Sequence, residues 1–372
     1  MKILLIVPGG VDKSGQERVI PALLWLIERL ARQHEVLVIA LHQYERPCTY
    51  HLHGAQIINL GHSRAPLAEL RLPGRWRQIM HAIRSFGVPD VVHGFWAQES
   101  GVLAGLVGRR LRRPVVLSIG GGELTWLPQI GYGLQGQWRG RLRVWAALQL
   151  ATAVTGGSQF VLQTLPAMHK AAHWLPLGAA TELFTGSGVR QPGPPWQLVH
   201  VATINPVKDQ ATLLHALAIA RQQVPDIRLD WVGEDTLNGR LQTLAQQLNL
   251  TEAVTFHRFL PSTDLIPLYQ RAHLFVQSSL HESQGVAVCE AAACGVPTVG
   301  TKVGLVAELA PLAATAVPIG DAPALASAML HLLANPAERE SLAHAAQQWA
   351  QTHNADWTAA QFMALYQRLQ AA

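Results

Sequence analysis

Short apolar runs alternate with longer amphipathic stretches along the whole chain. Residues 2–7 read Lys-Ile-Leu-Leu-Ile-Val and end at Pro-Gly-Gly, which is typical of a strand buried on both faces of a parallel sheet. Similar runs at residues 35–41, 90–93 and 114–118 are separated by segments of helical periodicity, such as residues 99–111. This alternation predicts strands and helices in turn, the pattern of a doubly wound α/β fold.

The second half of the chain repeats this pattern, with strands predicted at residues 197–202, 229–232, 273–276 and 298–300. Between the halves, residues 185–196 are rich in glycine and proline and are predicted to form a linker. A chain of 372 residues is also too long for one typical core. We therefore expect one domain at residues 1–184 and a second at residues 197–354.

The composition indicates a globular protein. The chain is 49% hydrophobic and 14% charged, which indicates large buried sheets. Cys48, Cys289 and Cys294 show no metal-ligand spacing, and such sparse cysteines suit a reducing compartment. No apolar run is long enough for a signal peptide or a membrane span, so a cytoplasmic protein is expected. Residues 1–185 carry a net charge of +9 and residues 186–372 carry −4, which favours a polyanionic partner for the first half.

Residues 278–304 carry the strongest chemical signal. Glu282 and Glu290 are separated by seven residues, and Gly285 lies where an apolar helical run begins. A helix that starts there leaves the first backbone N–H groups, at Val286 and Ala287, free to bind a phosphate. Glu282 would lie in the loop before the helix and Glu290 inside the helix, so the two carboxylates would reach opposite ends of a bound ligand.

Residues 290–304 read Glu-Ala-Ala-Ala-Cys-Gly-Val-Pro-Thr-Val-Gly-Thr-Lys-Val-Gly. With Glu282 ahead of it, this stretch resembles the signature of the retaining family-4, or group 1, glycosyltransferases of GT-B fold. The resemblance implies two Rossmann-like domains that face a cleft, and a C-terminal helix at about 355–372 that crosses back to the first domain. It further implies an acceptor-binding first domain and a nucleotide-sugar-binding second domain. An ordinary pair of glutamates beside a helix is the alternative, but it does not account for the matching glycine and proline positions.

The same resemblance assigns the donor site. Lys208 aligns with the lysine that neutralises the donor diphosphate, and together with Glu282 it is the predicted catalytic pair. Thr203 stands where the family has an arginine, and Arg258 is the predicted substitute. Glu290 is expected to accept the ribose hydroxyls. The backbone at Gly285, Val286 and Ala287 is expected to hold the phosphates.

Three residues of the first half are predicted on the acceptor side, and one glycine on the donor side. Gly121 and Glu123 lie in a loop that resembles the family's H-G-x-D pattern, with Gly120 in place of the histidine. His93 ends a strand similar to the family's P-D-V-V-H segment, and it either lines the cleft or is a buried, hydrogen-bonded histidine. Gly15 matches the family glycine at which the backbone approaches the donor phosphate or the acceptor, and it is assigned to the donor side; an ordinary turn glycine is an equal alternative.

Two interpretations are open for residues 137–150. Aromatic and aliphatic side chains recur there at helical spacing among three arginines: Trp138, Arg139, Arg141, Leu142, Arg143, Trp145 and Leu148. Burial of the apolar side chains is the favoured interpretation. Peripheral contact with an anionic membrane surface is the other, as in relatives that act on lipid-linked acceptors.

The predicted function is transfer of a sugar from a nucleotide-diphosphate sugar to a glycan or lipid-linked acceptor, with retention of configuration, in cell-surface polysaccharide or glycolipid biosynthesis. No metal and no further cofactor are expected, because the sequence contains no D-x-D motif. A nucleotide-sugar epimerase and a non-catalytic nucleotide-sugar-binding protein are the alternatives. Nucleic-acid binding is not expected, because no nucleic-acid-binding motif accompanies the basic charge.

Overall fold

The computed structural model describes residues 1–62, 68–166, 171–186 and 190–371. They form two compact units, one of Met1–Leu177 with Ala355–Ala372 and the other of Gly178–Asn354. Residues 178–184, which the sequence analysis places in the first domain, group with the second unit, and there the Phe184 ring meets the Tyr269 ring edge-on at 6.0 Å. Of the predicted linker, residues 187–189 lie outside the described residues.

The first unit contains an eight-stranded sheet in the order β3-β4-β2-β1-β5-β6-β7-β8. Its strands are β1 (Lys2–Val7), β2 (Glu35–Ala40), β3 (Cys48–Leu52), β4 (Ala55–Asn59), β5 (Val91–Phe95), β6 (Val115–Ile119), β7 (Ala153–Gly156) and β8 (Ala172–Trp174). All neighbours pair in parallel except β3 with β4. Strand order reverses between β1 and β5, and the loops after β1, β5 and β6 meet at the carboxyl edge where open α/β sheets bind ligands.

Helices cover both faces of this sheet, as a doubly wound topology requires. They are α1 (Pro21–Ala31), α2 (Ala68–Phe86), α3 (Glu99–Leu111), α4 (Trp138–Leu150) and α5 (Gln159–Leu162). Residues 12–18, which precede α1, do not form part of the helix. Asp12 holds residues 12–18 as a loop, because its carboxylate accepts hydrogen bonds from the Ser14 backbone at 2.9 Å and from the Arg18 guanidinium at 2.6 Å. The helix begins only at Pro21, where the missing N–H costs nothing.

The second unit contains a six-stranded parallel sheet in the order β11-β10-β9-β12-β13-β14. Its strands are β9 (Trp196–Val201), β10 (Ile227–Val232), β11 (Val254–His257), β12 (Leu274–Gln277), β13 (Thr298–Thr301) and β14 (Ala314–Val317). Its helices are α6 (Gln210–Gln223), α7 (Arg240–Gln247), α8 (Ser262–Arg271), α9 (Val286–Ala293), α10 (Gly304–Leu309), α11 (Ala322–Ala334) and α12 (Pro336–Thr352). Strand order reverses between β9 and β12, so the loops after these two strands are neighbours at a topological switch point.

The last helix, α13 (Ala355–Ala371), follows the second unit in sequence but packs in the first unit against α1. Phe362, Leu365 and Tyr366 are buried in the same apolar cluster as Ile27 of α1. An ion pair at the helix start, Arg29 Nε to Asp356 Oδ1 at 2.8 Å, adds to this contact. The predicted return of the C-terminal helix to the first domain is confirmed.

Candidate active site

The loops after β9 and β12 form one structure at the switch point of the second sheet. The Leu280 backbone N–H donates to the Val207 carbonyl at 2.8 Å, and the Ser278 hydroxyl donates to the Lys208 carbonyl at 2.9 Å. These two bonds fix residues 206–208 against residues 278–280, although the segments are 70 positions apart in sequence. The position of Lys208 is therefore set by the loop that carries Glu282.

Lys208 and Glu282 form a close ion pair. Lys208 Nζ lies 2.6 Å from Glu282 Oε1, and the Ser279 hydroxyl donates to the same oxygen at 2.7 Å. The side chains are 23% and 12% exposed, so both groups are shielded but remain open to a ligand. A shielded cation beside a carboxylate can bind a diphosphate through Nζ while the carboxylate accepts hydrogen bonds from hydroxyl groups.

Helix α9 begins beside this pair. Gly285 precedes it with φ 92°, a left-handed conformation that favours glycine, and a Cβ there would lie only 3.0 Å from Gln277 Oε1. Residues 285–287 are partly exposed. The first N–H groups of a helix have no partner within it, so Val286 and Ala287 offer donors and the positive end of the helix dipole at this point.

Glu290 lies inside α9 and is only 5% exposed. The Tyr269 hydroxyl of α8 donates to Glu290 Oε2 at 2.9 Å. Burial raises the pKa of the Glu290 carboxyl from its ordinary value of 4.5 to about 7, while the Tyr269 hydrogen bond acts in the opposite direction. Burying an ionisable carboxyl lowers the stability of the folded protein, and such groups concentrate at functional sites, so Glu290 is a candidate for a ligand contact.

The two remaining donor-side predictions lie in exposed positions. Thr203 follows β9 and is exposed, and its carbonyl accepts from the Gln210 side chain at 3.0 Å. Arg258 follows β11, an edge strand separated from β9 by β10, and its side chain is exposed. Neither side chain joins the bonded group around Lys208. Among the described residues, no group of three or more His, Cys, Asp or Glu side chains is placed to hold a metal ion.

Glu123, in the first unit, is fully buried against its own loop. Its carboxylate accepts hydrogen bonds from the backbone N–H groups of Ala97 at 3.3 Å, Gly120 at 3.2 Å and Gly121 at 2.6 Å. Burial raises the pKa of this carboxyl, although the backbone hydrogen bonds oppose the shift. Glu123 thus ties the loop after β5 to the loop after β6, and Gly121 is one of the residues that it holds. Gly15 lies in the separate loop after β1, at φ 67°.

His93 lies inside β5 with no exposed surface. Its Nδ1 is 2.7 Å from the Tyr366 hydroxyl and its Nε2 is 2.8 Å from the Ser118 hydroxyl. Burial lowers the pKa of the imidazole to about 3, so it is neutral at physiological pH. This placement matches the buried, hydrogen-bonded alternative and leaves the side chain no surface for an acceptor.

The favoured interpretation of residues 137–150 is wrong for three of the four apolar side chains. Trp138, Leu142 and Trp145 are 65%, 53% and 54% exposed, whereas Leu148 is buried. The three exposed side chains lie at helical spacing on one face of α4, because positions i, i+4 and i+7 share a face. In the described parts of the chain, no helix is both long enough and apolar enough to cross a membrane.

Tyr269 and Ser279 were not predicted. Tyr269 lies 21 positions before its partner Glu290, and an isolated tyrosine on an amphipathic helix gives no sequence signal for such a bond. Ser279 precedes Glu282 by only three residues, within a serine pair. The sequence did contain one signal for Ser279, because two serines directly follow a buried strand.

Residues 188–349 match the family model described as glycosyl transferases group 1. The chain is 32% identical over 178 residues to the D-inositol 3-phosphate glycosyltransferase of Corynebacterium urealyticum, a match that covers 45% of this chain and 42% of that protein. It is 32% identical over 162 residues to the GDP-mannose-dependent alpha-(1-6)-phosphatidylinositol monomannoside mannosyltransferase of Mycolicibacterium smegmatis, a match that covers 41% and 42%. The chain thus spans less than half the length of these relatives.

Solved structures resemble the whole chain. Sucrose-phosphate synthase from Thermosynechococcus elongatus superposes with a TM-score of 0.82 at 23% identity, and each chain is covered completely. HepE from Anabaena, in complex with UDP and glucose, superposes with a TM-score of 0.75 at 18% identity, with 99% of this chain and all of that one covered. At these identities the likeness shows the fold alone, which is GT-B. Residues 188–349 therefore resemble the group 1 glycosyltransferases, and the chain as a whole has the GT-B fold.

Proposed function

We propose that this protein transfers a sugar from a nucleoside-diphosphate sugar to a glycan or lipid-linked acceptor with retention of configuration, in the synthesis of a cell-surface polysaccharide or glycolipid. The observation that carries the proposal is the Lys208–Glu282 pair beside the start of α9, inside the segment that matches the family. Backbone N–H groups that can bind an anion, a lysine ammonium and a carboxylate come together there at the switch point of a sheet, which is the usual ligand position in such folds.

In this proposal the diphosphate rests on the N–H groups of Val286 and Ala287 and on Lys208 Nζ. When the diphosphate engages Nζ, Glu282 is released from its lysine and accepts hydrogen bonds from the hydroxyls of the donor sugar. As the bond from the sugar to the diphosphate breaks, negative charge grows on the leaving oxygen. Preorganised N–H groups and one ammonium stabilise that charge without reorganisation. Glu290 accepts the ribose hydroxyls.

The second unit is the proposed donor side, and the first unit the proposed acceptor side. The names of relatives supply the probes: one is GDP-mannose-dependent, and HepE was crystallised with UDP-glucose. Two relatives are named for inositol-containing acceptors. We therefore take UDP-glucose and GDP-mannose as trial donors, and inositol phosphate and phosphatidylinositol as trial acceptors.

Release of nucleoside diphosphate from each donor, with and without each acceptor, tests the proposal. We expect acceptor-dependent release and a product whose anomeric proton coupling in NMR matches that of the donor. Lys208→Ala should abolish release, while Lys302→Ala, a change at an exposed lysine of the same unit, should leave it intact. Acceptor-independent conversion to an epimeric nucleotide sugar would indicate the epimerase instead. Tight nucleotide binding without turnover of either donor would indicate a binding protein.

We further infer that the exposed face of α4 contacts an anionic membrane surface, which would place the protein at the inner face of the cell membrane. Trp138, Leu142 and Trp145 are the large apolar side chains of this face, and Arg139 lies over the Trp138 ring at 5.1 Å. Exposed indoles beside arginines suit the boundary between lipid headgroups and acyl chains. The positive charge of the first half complements anionic lipids.

Co-sedimentation with vesicles tests this contact. Vesicles containing phosphatidylglycerol should bind the protein, pure phosphatidylcholine vesicles should bind it weakly, and salt should reduce binding. The double variant Trp138→Ser and Trp145→Ser should lose binding, while the control Trp349→Phe, at a partly exposed ring of the second unit, should keep it. Equal sedimentation of the double variant and the parent protein with anionic vesicles would refute the assignment of this face.

A further inference from the structure

Trp96 has an unusual backbone conformation at the carboxyl edge of the first sheet. It directly follows β5, and its φ is 72°, in the left-handed region. Bulky residues other than glycine rarely adopt that region, and a conformation of this kind is strained. Such strain persists only where the surrounding structure imposes it, and it concentrates at sites that bind ligands.

The buried carboxylate of Glu123 imposes this conformation. It accepts hydrogen bonds from the N–H of Ala97, the residue after Trp96, and from the N–H groups of Gly120 and Gly121 beyond β6. The Trp96 N–H itself donates to the Ser118 carbonyl at 2.9 Å. The loops after β5 and β6 are therefore fixed, and this also fixes the direction of the Trp96 side chain.

Gly120 provides the space that the indole occupies. A Cβ at this position would lie 1.9 Å from Trp96 Nε1, so no other residue fits there while the indole keeps its place. Trp96 remains partly exposed. Within the described residues, its indole N–H donates to no acceptor, so this donor is available to a ligand.

We propose that Trp96 positions the acceptor: its ring face stacks on a polyhydroxylated ring of the acceptor, and its N–H donates to one of that ring's hydroxyls. This inference rests on the proposed function, because it assigns the acceptor contact of the same reaction. The sequence-based acceptor residues Gly121 and Glu123 then act indirectly, by holding Trp96. A pyranose and an inositol ring offer the same chemistry, and the probes below distinguish them.

Indole NMR tests the contact directly. Protein labelled with ¹⁵N-tryptophan gives a separate indole N–H signal for each tryptophan, and the signal lost in Trp96→Phe identifies Trp96. Titration with methyl α-D-mannopyranoside, methyl α-D-glucopyranoside or myo-inositol 1-phosphate should move the Trp96 signal. The class of probe that moves it identifies the ring. The signal of Trp145 on α4 serves as the control and should stay in place.

Binding of the probe that moves the signal is then compared among variants. Trp96→Phe keeps the ring face and loses the N–H, and it should weaken probe binding at least tenfold. Gly120→Ala should displace the indole and weaken binding by at least as much. Both variants should bind UDP or GDP as the parent protein does, because the nucleotide site is built in the second unit.

A Trp96 signal that no probe moves would overturn the inference, and so would Trp96→Phe with unchanged probe affinity. These results leave the proposed function intact if acceptor-dependent release of nucleoside diphosphate still occurs. Failure of the proposed function would show differently, as an absence of nucleotide binding or turnover in the parent protein itself. Loss of nucleotide binding in both variants would mean that Trp96 serves the fold alone, and would also overturn the inference.

Discussion

Replacing Glu290 by glutamine is expected to remove a pH-dependent penalty on folding. The folded protein holds this carboxyl at a pKa of about 7, above the ordinary value of 4.5 that applies in the unfolded chain. Between these two values the folded state binds the proton more tightly than the unfolded state does. Stability is therefore greater at low pH and falls as the pH rises through this window, because ionisation favours the unfolded chain.

The size of the effect follows from the two pKa values. Between pH 5 and pH 8 the contribution of Glu290 to the free energy of unfolding should fall by about 2–3 kcal/mol. Glutamine has nearly the same shape, still accepts the Tyr269 hydrogen bond and never ionises, so the variant should lack this part of the pH dependence. Urea unfolding at pH 5 and pH 8 measures it, and Glu340→Gln, at an exposed carboxylate of α12, is the control.

The same variant should bind nucleotide less tightly if Glu290 accepts the ribose hydroxyls. Loss of a charged hydrogen bond costs about 1.5–3 kcal/mol, or roughly ten- to a hundredfold in affinity. Calorimetry with UDP and GDP at pH 8, where the parent carboxyl is ionised, measures this. If Glu290→Gln changes stability equally at both pH values, the burial argument is wrong, and unchanged affinity for both nucleotides would refute the ribose contact.

Three further outcomes are expected. Lys208→Ala should lower the single-turnover rate at saturating donor by about 100- to 1000-fold, and Lys208→Arg should restore only part of that rate. If Lys208→Ala stays within threefold of the parent and Arg258→Ala is inactive, Arg258 rather than Lys208 binds the phosphate. Exhaustive chelation should leave turnover unchanged, and recovery on adding manganese or magnesium to an inactive chelated enzyme would refute this. Tyr366→Phe should cost about 1–3 kcal/mol in urea unfolding by leaving Nδ1 of the buried His93 ring without a partner, and equal stability would show that the bond contributes nothing.

The stretch at residues 278–304 was predictable because its geometry is local. Gly285 caps α9, Pro297 follows the helix end, and the apolar run between them has helical length, so the chain's own conformational preferences place both glutamates. The strand and helix order of both units was predictable for a similar reason, since buried parallel strands read as continuous apolar runs.

What the sequence did not predict depends on contacts between distant segments. The loop at residues 12–18 is held partly by Gln43, a distant residue whose side-chain amide donates to the Arg18 carbonyl at 3.4 Å and to the Asp12 carboxylate at 3.5 Å. The exposure of Trp138 and Trp145 depends on which face of α4 meets α3, and helical periodicity alone does not distinguish a buried face from an exposed one. The left-handed conformation of Trp96 arises from a glutamate 27 positions later, beyond any propensity rule.

The return of α13 to the first unit also sets the order in which the chain can be completed on the ribosome. The second unit is one continuous segment, so it can fold as soon as it leaves the exit tunnel. The first unit begins earlier but lacks Phe362, Leu365 and Tyr366, which are made only after the whole second unit. The first unit, most of which is synthesised before the second, is thus completed after it, and until then the apolar surface of α1 is open to chaperones.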